Sequence, residues 1–354
     1  MIGARRLNVG VTAALGAALL FGAGTPLAKL LLGNIGPWML AALFYLGSGI
    51  GLTIYRVVSR SAPVKLPPGE AGWLAGATIA GGVIGPVLLM VGLTGMSASS
   101  ASLLLNAEGV FTALLAWIAF RESFDRRIAL GMAAIAAGAV LLSWPQEVSF
   151  SGLWPVLSIL GACFAWGIDN NLTRKVSLND AIWIASVKGL VAGIANLALA
   201  MTIGDGDHLP SILVMGSAML VGFLAYGVSL ALFVVGLRHL GTARTGAYFS
   251  VAPFVGAALA LVSGEAITPR LLMAGLLMGL GVWLHLTEKH EHPHIHDPLD
   301  HEHEHAHDDH HLHEHPDQLG IDLSPGQKHT HRHHHSAMEH AHAHFPDAHH
   351  RHVH

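Results

Sequence analysis

From residue 9 to residue 286 the chain is a succession of apolar, glycine-rich stretches, each close to the 20 residues that a helix needs to cross a bilayer core roughly 30 Å thick. In hydrocarbon every backbone N–H and C=O must find its partner inside the element, which restricts such stretches to helices or a closed barrel, and their length and continuous apolarity select helices. Ten are legible, near 9–32, 36–55, 71–92, 97–119, 127–144, 152–171, 181–203, 210–236, 242–263 and 270–286. The expected fold is an all-α membrane protein of ten transmembrane helices joined by short loops. Only 12% of the residues are charged, against roughly a quarter in a soluble domain, so most of the surface is made for lipid. The first span follows Arg5 and Arg6 in the manner of a signal peptide, but its long apolar stretch and the nine spans behind it favour an uncleaved helix.

Charge is distributed unevenly along the chain and across the membrane. Residues 1–286 hold 15 Lys/Arg against 10 Asp/Glu, whereas 287–354 hold 4 against 13. Alternate connections collect Arg5, Arg6, Arg56, Arg60, Lys65, Arg121, Arg126, Arg127, Arg174, Lys175, Arg238 and Arg244 on one face and leave only Arg270 on the other. The positive-inside rule then puts both termini in the cytoplasm and the body in the cytoplasmic membrane. An acidic tail repels phosphate, so a nucleic-acid partner is excluded. The single cysteine, Cys163, allows no intrachain disulfide and reads as a packing residue.

Twenty-five of the 27 histidines fall in the last 70 residues. Twelve form one block, His290, His292, His294, His296, His301, His303, His305, His307, His310, His311, His313 and His315. Twelve more form a second, His329, His331, His333, His334, His335, His340, His342, His344, His349, His350, His352 and His354. Too few apolar residues separate them to bury a core, so residues 287–354 are expected to be a disordered His-rich tail when metal-free. Neutral imidazole suits Zn²⁺, Ni²⁺, Co²⁺ and Cu²⁺, and the interspersed carboxylates add oxygen donors, so the tail is a metal-binding candidate, with no cofactor required. Imidazoles titrating near neutrality also permit pH sensing.

The body contains an internal repeat. Leu15-Gly16-Ala17, Gly22, Leu27 and Lys29 recur as Leu160-Gly161-Ala162, Gly167, Leu172 and Arg174, a shift of 145; Phe111, Glu122, Arg127, Gly138 and Leu141 recur as Phe254, Glu265, Arg270, Gly281 and Leu284, a shift of 143. This divides the body into two five-helix units, 9–144 and 152–286. Five is odd, so the second unit enters from the opposite side, giving the inverted-topology repeat of secondary transporters, whose substrate site lies near the midplane.

Ionisable side chains at membrane depth cost a few kcal/mol on insertion scales, so they should be paired or line a cavity. Glu108, preceded by Asn106, lies midway along the fourth span, about 16 Å from its outer end at 1.5 Å per residue. It reads as a proton acceptor, a cation ligand or a counter-charge, or as a structural carboxyl. Asp169, with Asn170 and Asn171, and Lys188 lie in the cytoplasmic third of adjacent spans, as a structural clamp or an inner gate. Arg244 and Tyr248 share a helix face and offer an anion site, or Arg244 is an interfacial anchor. Tyr226 and Ser229 line the same cavity or bind neighbouring helices together. Lys29 is an outer-face anchor, and Pro26, Pro86 and Pro253 free backbone carbonyls for ligands or merely kink their helices. Gly275-x-x-x-Gly279-x-Gly281 is a helix-packing face, and no phosphate-cradling loop, nucleophile elbow or zinc-protease motif is present, so nothing calls for an enzyme.

The five-plus-five arrangement, and the run Ser102-Leu-Leu-Leu-Asn-Ala-Glu-Gly-Val-Phe-Thr-Ala-Leu-Leu-Ala-Trp117 followed by Arg121-Glu122, resemble the EamA family of the drug/metabolite transporter superfamily. The resemblance covers 9–286 and stops at the tail. It departs from the family pattern where Gly109-Val110 replaces the proline region, which Pro253 restores in the second unit, and where Arg121-Glu122 replaces Gly-Glu. It implies a secondary carrier of small molecules and leaves the cargo open. The leading expectation is a gradient-coupled carrier whose tail binds metal as cargo or regulator. The alternatives are a small-metabolite exporter with the tail as a buffer, and a membrane-anchored metal sensor. The lipid bilayer is the expected partner, and a homodimer is compatible with the sequence.

Overall fold

The computed structural model describes residues 2–64, 66–67, 69–120, 126–143, 150–176, 179–203, 210–286, 291–296, 299–305, 329–335 and 338–343. The body among them is all-helical. It runs α1 (Ile2–Leu31), α2 (Pro37–Val58), α3 (Glu70–Ala77), a π-helical turn (Thr78–Ile84), α4 (Gly85–Thr94), α5 (Ala98–Leu104), α6 (Ala107–Phe120) and α7 (Arg126–Ser143). There follow α8 (Phe150–Val176), α9 (Ala181–Thr202), α10 (Ile212–Gly222), a second π-helical turn (Phe223–Val228), α11 (Ser229–Phe249), α12 (Ala252–Val262) and α13 (Pro269–Leu286). Six stretches among the described residues are long and apolar enough to cross a membrane: Val9–Leu31, Pro37–Val58, Glu70–Thr94, Ala98–Ala119, Ala181–Thr202 and Ile212–Gly236. Many large apolar side chains face outward, Ile118, Leu213 and Leu276 among them, as lipid-facing helices require.

Three helices depart from simple rods for identifiable reasons. In the first π turn, Gly85 N–H bonds the carbonyl of Ala80, so the next acceptor in that register, Gly81 O, meets Pro86, which has no N–H. The chain replaces the missing donor with side chains, as described below. The second break separates α5 from α6 at Leu105 and Asn106. Both pieces belong to the one apolar span Ala98–Ala119, so Glu108 lies midway along the span, and the interruption puts it in the first turn of α6. Asn106 effects the interruption, because its side-chain amide donates to Leu103 O at 2.9 Å and competes with the helical ladder. The third lies within α11. A Cβ on Gly236 would approach Thr245 Cγ2 to 2.8 Å, although nine residues of straight helix span about 13 Å, so the chain reverses between those two positions.

Small residues let the helices approach. α2 and α9 cross where Gly49 meets Gly189, with the Gly189 α-carbon so close that an added Cβ would sit 2.5 Å from Gly49 N. α7 and α13 meet at Gly281, whose added Cβ would lie 2.5 Å from Gly131 O. Without a hydrophobic driving force between helices in lipid, such close backbone contact supplies the dispersion energy of association. The interior between these seams is filled by Leu40, Phe44, Leu89, Met90, Leu104 and Ile159, all essentially fully buried.

The tail forms a separate unit, in which β1 (Glu291–His296) pairs with β4 (Met338–Ala343) and β2 (Leu299–His305) with β3 (His329–His335), both antiparallel and in one register. Histidine at every second position matches the two-residue period of a strand. The register sets His292 opposite His342, His294 opposite His340, His301 opposite His333, His303 opposite His331 and His305 opposite His329. The remaining tail histidines, His290, His307, His310, His311, His313, His315, His344, His349, His350, His352 and His354, lie outside the described residues.

Candidate functional site

The polar side chains of the body converge on α8. One turn and a half of this helix carries Asp169, Asn170, Asn171 and Thr173, and successive residues on a helix point about 100° apart, so the cluster faces three neighbours at once. Asp169 faces α9, where Lys188 Nζ donates to its carboxylate and, at 3.1 Å, to Thr173 Oγ1. Thr173 in turn donates to Asp169 Oδ1 at 2.7 Å. All three residues are buried. The pair is closed on a third side by the π turn, because a Cβ on Gly81 would collide with the Asp169 carboxylate.

The freed carbonyl of Gly81 is taken up immediately beside this pair. Tyr45 Oη donates to it at 2.7 Å from α2, and Trp166 Nε1 at 2.9 Å from α8. Asn196 Nδ2 on α9 donates at 2.8 Å to the neighbouring carbonyl of Gly82. A proline therefore opens the helix, but side chains of the protein occupy the carbonyls it releases. Tyr45, Trp166 and Asn196 escaped the sequence reading; Asn196, a lone amide within an apolar span, was the available signal.

Asn170 faces α6. Its Nδ2 donates to Glu108 Oε1 at 2.8 Å and reaches Thr112 Oγ1 at 3.3 Å. Asn171 Nδ2 donates to Thr112 O at 3.1 Å and to Gly167 O in its own helix at 2.8 Å. Glu108 is half-buried, and among the described residues no cation is paired with it. One turn before the break, Ser102 Oγ is buried without a hydrogen-bond partner among the described residues, and so is Asn106 Oδ1.

Next to these networks lies a cage of aromatic rings. Tyr226, in the second π turn, packs against Phe21, Phe44 and Tyr45 at centroid distances of 5.8, 5.4 and 5.3 Å, and Phe21 meets Trp166 edge-on at 5.9 Å. Ser229 donates to Ala17 O at 2.8 Å, tying α11 to α1. Tyr248 is half-buried on α11 and joins none of these networks by a described hydrogen bond, and the Arg244 side chain lies outside the described residues.

Three further polar contacts stand at the ends of the helices. Glu265, in the α12–α13 connection, accepts from the backbone N–H groups of Ala98 at 2.7 Å and Ser99 at 2.9 Å, capping α5. Burial pushes its carboxyl upward, but the hydrogen bonds from Ser99 and Ala98 and the nearby Lys29 charge outweigh that and hold it below the ordinary carboxylate value. Lys29 Nζ donates to Leu93 O at 2.6 Å. At the other end Arg56 pairs with Asp180, the N-cap residue of α9, at 2.8 Å.

These features define a multi-pass helical membrane protein with a charged and amide-rich cluster enclosed among its helices. Two segments, 8–144 and 153–287, each match the EamA-like transporter family, and the chain belongs to that family of membrane transporters. An uncharacterized transporter of Methanothermobacter thermautotrophicus is 28% identical over 288 residues, covering 76% of this chain and 83% of its own length. A probable amino-acid metabolite efflux pump of Salmonella typhimurium is 26% identical over 211 residues, covering 54% of this chain and 68% of its own. A solved crystal structure 17% identical in sequence superposes with a TM-score of 0.61 over 78% of this chain and 95% of its own, and shares the fold.

Proposed function

We propose that the protein is a gradient-coupled secondary transporter of small metabolites in the cytoplasmic membrane, with both termini cytoplasmic, and that Glu108 is the carboxylate through which the gradient or the substrate acts. The observation that carries this reading is the unequal treatment of two acids met at adjacent positions of α8, Asp169 itself and Glu108, which Asn170 reaches. Asp169 is neutralised by Lys188, whereas Glu108 has one amide partner and no described counter-charge. An intramembrane acid without a fixed partner is the group that a proton or a cationic moiety can occupy reversibly. Asn106, Asn170 and Asn171 complete its polar surroundings and Tyr226 the aromatic wall. The Salmonella relative's description as a probable amino-acid metabolite efflux pump supports a zwitterionic metabolite, whose ammonium would meet Glu108.

Two inverted five-helix units, 9–144 and 152–286, underlie this proposal. The π turn beginning at Thr78 recurs 145 residues on at Phe223, and the helix break after Leu104 recurs 145 residues on after Phe249. Ten spans follow if each unit crosses five times. The tail's role as a metal-binding segment, supplying cargo or regulation, is favoured by the register that sets five histidine pairs across its strands. Neutral imidazole is a donor that zinc, nickel, cobalt and copper ions accept well.

Reconstituted vesicles test both parts. Amino-acid flux should depend on an imposed pH gradient and disappear in Glu108→Gln. Removal of 290–354 should abolish micromolar Zn²⁺ or Ni²⁺ binding, and it changes flux only if metal regulates transport. Gradient-independent flux, or a fully active Glu108→Gln protein, overturns the carrier assignment of Glu108.

A further inference from the structure

The C-terminus of α2 ends in a helix stop that is wrong for the residue it carries. Arg60 N–H bonds Val57 O at 3.2 Å and Ser61 N–H bonds Arg56 O at 3.0 Å, the paired hydrogen bonds of a Schellman closure. That closure requires a left-handed residue at the position after the cap, and Arg60 adopts φ 50° to provide it. Glycine takes this conformation without penalty, and a residue with a Cβ does not. Arg60 is the one non-glycine residue with positive φ among the described residues. A strained position kept by a long cationic side chain points to a use for that side chain.

The side chain borders a cavity of about 430 Å³ between the ends of α2 and α9. Arg56, Arg60, Ser61 and Ser186 supply its polar lining, and Trp183 and Leu190 part of its apolar wall. Arg56 is held in place by Asp180 at 2.8 Å and by Ala62 O at 2.8 Å, which engages two of the five guanidinium donors. Asp180 offsets the Arg56 charge, and no carboxylate among the described residues pairs with Arg60, so the pocket carries a net charge of about one positive unit. On the same stretch of α2 Ile54, Tyr55 and Val58 are exposed, a surface suited to acyl chains. Basic pockets between transmembrane helices on the arginine-rich face are recognition points for anionic headgroups.

We infer that this pocket binds the phosphodiester headgroup of an anionic phospholipid, with Arg60 and Arg56 on the phosphate oxygens; the Ser186 hydroxyl is already committed to Trp183 O at 2.8 Å and the Ser61 hydroxyl to Ser59 Oγ at 3.0 Å, so the guanidinium groups carry the recognition. One net positive charge matches the single negative charge of a phosphodiester, and the apolar wall with the adjacent exposed side chains accommodates the glycerol and first acyl carbons. The site is separate from the Glu108 cluster and does not depend on which substrate is carried.

The strain provides a test that separates binding from folding. The full-length protein, purified in detergent and titrated with phosphatidylglycerol, is read by native mass spectrometry. Arg60→Gly should weaken lipid retention about tenfold while its melting temperature stays equal to or rises above that of the unaltered protein, because glycine relieves the backbone. Arg60→Lys should keep most of the retention. Undiminished retention in Arg60→Gly overturns the proposal. In a second arm, millimolar inorganic phosphate should leave the bound lipid in place; its displacement overturns the lipid assignment and gives the same arginines to a soluble phosphate.

Discussion

Asp169 and Asn170 are neighbours on one helix, yet the acid at the first and the acid held by the second, Glu108, live under opposite conditions. Around Asp169 every need is met: a lysine, a threonine hydroxyl and a glycine that makes room. Around Glu108 the helix is broken, one amide approaches, and two buried polar atoms nearby, Ser102 Oγ and Asn106 Oδ1, have no described partner. A fully compensated buried charge is expensive to disturb and therefore holds helices together. An incompletely compensated one is available for exchange. The contrast teaches that membrane depth alone does not identify a working carboxylate; the completeness of its surroundings does.

The largest effect should come from dismantling the satisfied side. Lys188→Met leaves Asp169 charged and buried, which costs about 3–5 kcal/mol, whereas the double variant Asp169→Leu, Lys188→Met recovers most of that because no lone charge remains. Thermal unfolding in detergent measures both, and equal losses in the single and double variants would break the contrast. The open side should respond in function instead. Glu108→Gln keeps the side-chain volume and an acceptor for Asn170, so stability should change by less than about 0.5 kcal/mol while transport falls about a hundredfold, the scale for removing a proton-transferring group. Vesicle flux and a melting curve on one preparation decide it.

Gly81→Ala sharpens the same comparison by wedging a methyl group against Asp169. A loss of about 1–3 kcal/mol is expected, with no comparable change from Gly109→Ala, since an added carbon there meets nothing within 4 Å. The smallest effect belongs to Glu265, a third acid whose partners are backbone amides. Glu265→Gln should cost about 1 kcal/mol through the weakened cap of α5. Because its carboxyl is held below the ordinary value, its stabilisation is fully present above the unfolded carboxylate range near pH 4.5 and is lost as pH falls through the lowered folded value. The difference in melting temperature between the unaltered protein and Glu265→Gln should therefore shrink on acidification.

The membrane class was legible because twenty-residue apolar segments admit few alternatives, and Glu108 and Asp169 stood out as charges in apolar surroundings. What joins them was not legible. The link from Tyr45 and Trp166 to Gly81 depends on a π turn that Pro86 induces only once α2 and α8 are packed against it, so no local pattern announces it. The break at Leu105–Asn106 has neither glycine nor proline, and an asparagine amid leucines looks like a substrate ligand before its bond to Leu103 is known. In the tail, composition argues against a buried core, and the alternation of histidine matches the period of the paired strands.

The crossing of α2 over α9 at Gly49 and Gly189 is made by main chain against main chain. Four residues further along α9 the Leu46 side chain seats over Gly193, so the seam is closed by bare backbone at one point and by a lodged leucine at the next, and a single methyl group added to either crossing glycine would wedge the two rods apart.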